Sequence, residues 1–103
     1  MIIAIIGSTG LVGSEIIKVL EEKENKKITK ILFVASKKNI GKNIKYKKNN
    51  HKIISIQQAI KESPNYALFS SGSKISIKYA KEFTKKGTMV IDNSSAFRMK
   101  KNI

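Results

Sequence analysis

The sequence predicts an α/β domain built on a doubly wound parallel sheet, and three observations carry that expectation. Short continuous apolar runs alternate with helical repeats in the order β, α, β. A glycine-rich turn lies at the junction of the first run and the first helical repeat. The same order then recurs, with Tyr66 to Phe69 and Met89 to Ile91 flanking a second long amphipathic stretch.

Met1 to Ile6 is a continuous apolar run that stops at Gly7, too short for a helix and patterned like a strand buried on both faces. From Leu11 to Glu24, Val12, Ile16, Ile17, Val19 and Leu20 recur at helical spacing. Glu15, Lys18, Glu21, Glu22 and Lys23 take the opposite face, which predicts an amphipathic helix. Thr29 to Ser36 returns to strand character through Ile31, Leu32, Phe33, Val34 and Ala35. These three elements predict one βαβ unit with parallel strands and a right-handed crossover. Lys37 to Lys52 is polar and basic, with weak alternation at Ile44 and Tyr46 followed by Ile53 and Ile54, and predicts a loop and one or two short strands. Ile56 to Lys61 predicts a short helix that ends before the lone proline, Pro64. Tyr66 to Phe69 predicts a strand running into Ser70-Ser71-Gly72-Ser73. Ser76 to Lys86 then predicts a helix with Ile77, Ala80 and Phe83 on one face, closed by Gly87. The last strand, Met89 to Ile91, leads into Asp92-Asn93-Ser94-Ser95. No internal repeat, low-complexity tract or flexible linker is visible.

A chain of 103 residues makes one domain at most. It has no cysteine, which excludes disulfides, thiolate metal sites and thiol nucleophiles, and no metal site is expected within it. The longest apolar run is far shorter than the roughly 20 residues that span a bilayer, and no cleavage site follows a signal-like core. The expectation is a cytoplasmic protein without a membrane partner. The net charge of +14 would suggest an anionic partner such as nucleic acid. Only Arg98 among the 21 basic side chains is an arginine, however, and the lysines are scattered beside abundant Ile and Asn. Nucleic-acid surfaces usually add arginine forks and stacking aromatics. The excess reads as compositional drift, no nucleic acid is expected, and a basic nucleic-acid-binding module stands as the rival from another class. His51, the only histidine, sits beside Asn49 and Asn50 and reads as a solvated loop residue.

The turn Gly7-Ser8-Thr9-Gly10-Leu11-Val12-Gly13 falls where a dinucleotide fold needs its phosphate site. Glycines permit the tight turn and a close approach by pyrophosphate, while free N–H groups and the helix dipole supply positive character. Its GxxGxxG spacing meets the usual GxGxxG fingerprint only approximately, and glycines also mark ordinary turns. Position favours nucleotide binding, since the triplet follows a buried strand and opens an amphipathic helix. A domain specific for NAD usually ends its second strand in Asp or Glu, which accepts from the ribose 2′-hydroxyl. Here that strand ends in Ser36-Lys37-Lys38, with Lys42 beyond. A carboxylate would repel a 2′-phosphate, whereas hydroxyl and ammonium groups hold one by charge-assisted hydrogen bonds, so the expected cofactor is NADP. The competing reading makes these lysines part of the general excess.

With these motifs the chain resembles the N-terminal segment of the aspartate-semialdehyde dehydrogenase family, from Met1 to about Met99. The resemblance rests on the glycine turn, on Ala35-Ser36-Lys37-Lys38-Asn39-Ile40-Gly41-Lys42, on Ala67-Leu68-Phe69-Ser70-Ser71-Gly72-Ser73 and on Asp92-Asn93-Ser94-Ser95-Ala96-Phe97-Arg98. It implies a Rossmann-like fold whose cofactor pyrophosphate is held at Gly7, Thr9, Gly10, Leu11, Val12 and Gly13. It implies further that Ser36 and Lys38 surround the 2′-phosphate, that Ser70, Ser71, Gly72 and Ser73 approach the cofactor, and that Arg98, helped by Asn93, grips the acyl phosphate of the substrate. Family members often carry arginine and serine where this chain has Lys38 and Asn39; lysine keeps the charge and loses the bidentate fork.

The same resemblance implies the family's reaction, the NADP-dependent reductive dephosphorylation of 4-phospho-L-aspartate to L-aspartate 4-semialdehyde on the way to lysine, methionine and threonine. The cysteine and histidine that perform it, and the domain that forms the homodimer, lie beyond the matched segment in such enzymes. Residues 1–103 are therefore expected to form an incomplete dinucleotide-binding domain that binds cofactor and does not turn it over. The N-acetylglutamyl-phosphate reductases, which share the glycine turn, are the nearer alternative, and the Asp92 to Arg98 motif weighs against them.

Overall fold

The computed structural model of the chain describes residues 1–23, 26–70 and 73–92, with the side chains of 73–77 and 92 outside that description. The elements run β1 (Ile2–Ile6), α1 (Leu11–Glu22), β2 (Lys30–Val34), a 3₁₀ turn (Lys37–Asn39), β3 (Asn43–Tyr46), β4 (Asn49–Lys52), α2 (Ile56–Lys61), β5 (Tyr66–Phe69), α3 (Ser73–Lys85) and β6 (Met89–Asp92). Four strands form one sheet in the order β2-β1-β5-β6, and every pairing in it is parallel. After β2 the chain crosses back over β1 to reach β5, so the strand order switches between β1 and β5. In such sheets ligands bind outside the carboxyl ends of the strands at that switch.

The central strand explains the doubly wound architecture. Alternate side chains of β1 point to opposite faces. Ala4 and Ile6 join Leu32, Val34, Ala67 and Phe69 on one face, under Ala59 of α2 and Phe83 of α3. Ile3 and Ile5 join Ile31 and Phe33 on the other, under Ile17 of α1. An apolar run without alternation is what a strand covered on both sides requires. Phe69 and Phe83 meet edge to face, with ring centroids 5.7 Å apart and both rings buried.

Three expectations need correction. Val19 is 47% exposed and takes no part in the buried face of α1. The helix settles Gly13 and Ile17 against the sheet with Ile16 and Leu20 beside them, and Val19 falls off that stripe. α3 begins at Ser73, three residues before the expected start at Ser76. His51 is half-buried in β4 and packs its ring 5.3 Å from that of Phe33, so it is a packed strand residue and not a solvated one.

β3 and β4 form an antiparallel hairpin whose two-residue turn, Lys47-Lys48, has positive φ at both positions (49° and 69°). That is the backbone a tight hairpin needs, and Asn-Gly normally supplies it. No such sequence signal marks the turn, and the hairpin holds by laying Ile44, Tyr46 and His51 against the α1 side of the sheet.

A candidate dinucleotide crevice

The site begins with what the glycine turn does to the main chain. Gly7 adopts φ +89°, a conformation that L side chains rarely take. Its carbonyl then lies so close to α1 that a Cβ on Gly13 would stand 2.1 Å from it, which only glycine permits. A Cβ on Gly10 would meet the same oxygen at 3.4 Å, an ordinary contact. The first helical turn therefore sits directly over the end of β1. Among the described residues the amides of Leu11, Val12 and Gly13 have no acceptor, as expected where a helix starts without a side-chain cap. Unpaired amides at the positive end of a helix dipole suit an anion.

Ser8 does a different job in the same turn. It is buried, its hydroxyl donates to the Ile5 carbonyl at 2.7 Å, and it accepts from the Val34 amide at 3.1 Å. With the Gly7 and Ser8 amides both donating to the Val34 carbonyl at 2.9 Å, the turn is fastened to the tip of β2. Ser70 fastens it on the other side, its hydroxyl donating to the carbonyls of Ile6 (2.7 Å) and Gly7 (3.2 Å).

The result is a crevice of about 600 Å³ at the carboxyl ends of β1 and β2. One wall is Gly7, Thr9 and Gly10; the facing wall is Ala35, Ser36, Lys37 and Ile40. The start of α2 adds Ser55, Ile56 and Gln57, and α3 adds Lys78 and Tyr79. No carboxylate is among the described lining residues. Asn39 links the walls through its side-chain amide, which donates at long range to the hydroxyls of Thr9 (3.4 Å) and Ser36 (3.5 Å).

Of the residues singled out by sequence, Gly7, Thr9, Gly10 and Ser36 line this crevice, whereas Leu11, Val12 and Gly13 open α1 next to Gly10 and are not among the lining residues. Lys38 is exposed and absent from the lining, where its neighbour Lys37 stands instead. Ser70 lies beside the turn and not in the lining. Ser71, Gly72, Asn93 and Arg98, and the side chain of Ser73, lie outside the described residues. Ser55, Gln57, Lys78 and Tyr79 were not foreseen. Ser55 carried a readable signal, because it caps α2 by accepting from the Gln58 amide at 3.1 Å, in the S-x-x-Q spacing of a capping box.

A nicotinamide dinucleotide fits this arrangement: the cradle that a Cβ on Gly13 would fill stays open, amides face it, and a hydroxyl and an ammonium group stand across from it. Comparison with known proteins agrees. Residues 2–103 match the family model described as semialdehyde dehydrogenase, NAD binding domain. The chain is 41% identical over 103 residues to an aspartate-semialdehyde dehydrogenase of Campylobacter jejuni, covering 98% of this chain and 30% of the relative. It is 38% identical over 103 residues to that of Bacillus subtilis, covering 97% and 29%. Among solved structures, aspartate semialdehyde dehydrogenase II of Vibrio cholerae, complexed with ASA, superposes with a TM-score of 0.80 at 30% identity, over 88% of this chain and 29% of that one. The chain thus spans about 30% of the length of the curated relatives it matches.

Proposed function

The chain belongs to the semialdehyde dehydrogenase family through its NAD-binding domain, and on that premise we propose that residues 1–103 form a dinucleotide-binding domain that takes NADP. The observation that carries this reading is the composition of one crevice, with Ser36 and Lys37 across from the glycine turn and no carboxylate among the described lining residues. The amides of Leu11, Val12 and Gly13 receive the pyrophosphate, and the extra phosphoryl group on the ribose meets the Ser36 hydroxyl and the Lys37 ammonium group. Lys38 contributes at longer range from its exposed position. Gln57 and Tyr79, whose polar ends lie 3.5 Å apart, flank the same opening.

The relatives named aspartate-semialdehyde dehydrogenase support a reaction for the whole protein, the reductive dephosphorylation of 4-phospho-L-aspartate to L-aspartate 4-semialdehyde. Bound NADPH supplies the hydride of such a reduction. This chain's share is to hold the cofactor and, through Arg98 and Asn93, the phosphate of the substrate. Thermal unfolding with NADP or NAD at equal concentration tests the cofactor. A ligand present at 100 times its dissociation constant stabilises by about 2.7 kcal/mol, or roughly 10–20 °C in Tm for a domain of this size. NADP is expected to give that rise at concentrations where NAD gives little, and equal or absent shifts overturn the assignment.

A further inference from the structure

A second concavity lies at the amino-terminal end of β2, at the opposite end of the sheet from the crevice. It holds about 350 Å³ and is lined by Lys23 beyond α1, by Ile28 to Ile31, and by Tyr46, Lys47 and His51 of the hairpin. We propose that this cavity binds a phosphate monoester carried on a flat apolar body, at a site separate from the dinucleotide crevice.

Three features converge there. The walls include flat rings: Tyr46 and His51 stand 6.0 Å apart at 68°, and both lean on Phe33 behind them. Such faces suit a stacked planar body. The rim carries Lys23 and Lys47, basic side chains brought to one concavity from the end of α1 and from the hairpin turn. Lys30 lines the cavity as well, with its ammonium group turned to Glu62 at 3.5 Å. The carboxylate nearest the hairpin turn, Glu21, accepts from the Lys47 main-chain amide at 2.9 Å. The third feature is main chain. β2 is an edge strand whose outer side receives the Ile54 amide on the Phe33 carbonyl at 2.8 Å. Ile31, two residues earlier, turns its N–H to the same outer side of β2, where no further described strand pairs with it, and the residue lines the cavity. A phosphate oxygen satisfies that donor while the other oxygens meet the lysines.

His51 is the only histidine, so the ring signal of a protein labelled with ¹³C-histidine reports on this cavity alone. Phenyl phosphate is expected to move that signal along a saturable curve with a midpoint on the order of 1 mM. Inorganic phosphate should need several times more, and saturating NADP should leave the curve unchanged. Lys47→Gln should raise the midpoint about tenfold, while Lys47→Arg and the remote Lys86→Gln keep it within about twofold. An unmoved signal, a linear drift without saturation, a midpoint equal in Lys47→Gln and the parent, or displacement by NADP would each overturn the proposal.

Discussion

On one side of the dinucleotide crevice Gly7 and Gly13 act through main chain alone, whereas on the other Ser36, Lys37 and Lys38 act through exposed side chains. The first wall is defined by what is missing, since a methyl group at Gly13 would collide with the Gly7 carbonyl. The second wall is defined by what is present and can be exchanged without moving the backbone. On the proposed function, affinity for any dinucleotide belongs to the glycine turn, and the choice between dinucleotides belongs to the tip of β2.

Substitutions that respect this division should separate stability from selectivity. The largest effect is expected from Gly13→Ala, which forces α1 off the end of β1. We expect a loss of about 3 kcal/mol, or roughly 15 °C in Tm, together with all measurable dinucleotide binding. Gly7→Ala places a side chain at φ +89° and should cost about 1–2 kcal/mol by urea unfolding. Gly10→Ser, whose Cβ makes only an ordinary contact and whose hydroxyl can cap α1, should fall within about 0.5 kcal/mol of the parent. A Gly10→Ser loss as large as that of Gly13→Ala would break the division inside the turn itself.

On the other wall, Lys37→Glu should weaken NADP by at least about tenfold in calorimetric titration while leaving NAD within about twofold, with Tm unchanged. Lys38→Glu should have the smaller effect on NADP, because Lys38 is not among the lining residues. The reverse ranking would move the 2′-phosphate outward along the 3₁₀ turn.

The smallest effect lies away from both walls. Burial, aided by the negative charge of Glu21, raises the Tyr46 hydroxyl above its ordinary ionisation range. A phenol whose folded pKa is raised contributes stability that is fully present below about pH 10 and is lost as pH climbs through the folded value. Absorbance titration should show a late-ionising tyrosine component, and Tyr46→Phe should remove it.

The sequence made the elements that rest on periodicity legible. β1 was readable because burial on both faces leaves no polar position between Ile2 and Ile6, and α1 because glutamates and lysines mark its outer face. The hairpin was legible only as one or two short strands, because Asn43 to Lys52 is mostly exposed and polar, and what holds it is the distant ring of Phe33. The glycine turn was legible since backbone geometry restricts which residues can occupy it. Lys37 and Lys38 could not be ranked, because one residue along a 3₁₀ turn redirects a side chain by about a third of a circle, and only coordinates tell which one faces inward.

The Ser8 hydroxyl carries a consequence of its own. By bridging the ends of two neighbouring strands from inside the protein, it fixes the span between the positions proposed for the pyrophosphate and the ribose phosphate. That span behaves as a gauge: a guest with its two anionic groups at another separation meets a rigid mismatch that surface mutations cannot adjust. Replacing Ser8 by alanine would loosen the gauge, so discrimination among phosphorylated nucleotides should blur even where the lysines outside remain untouched.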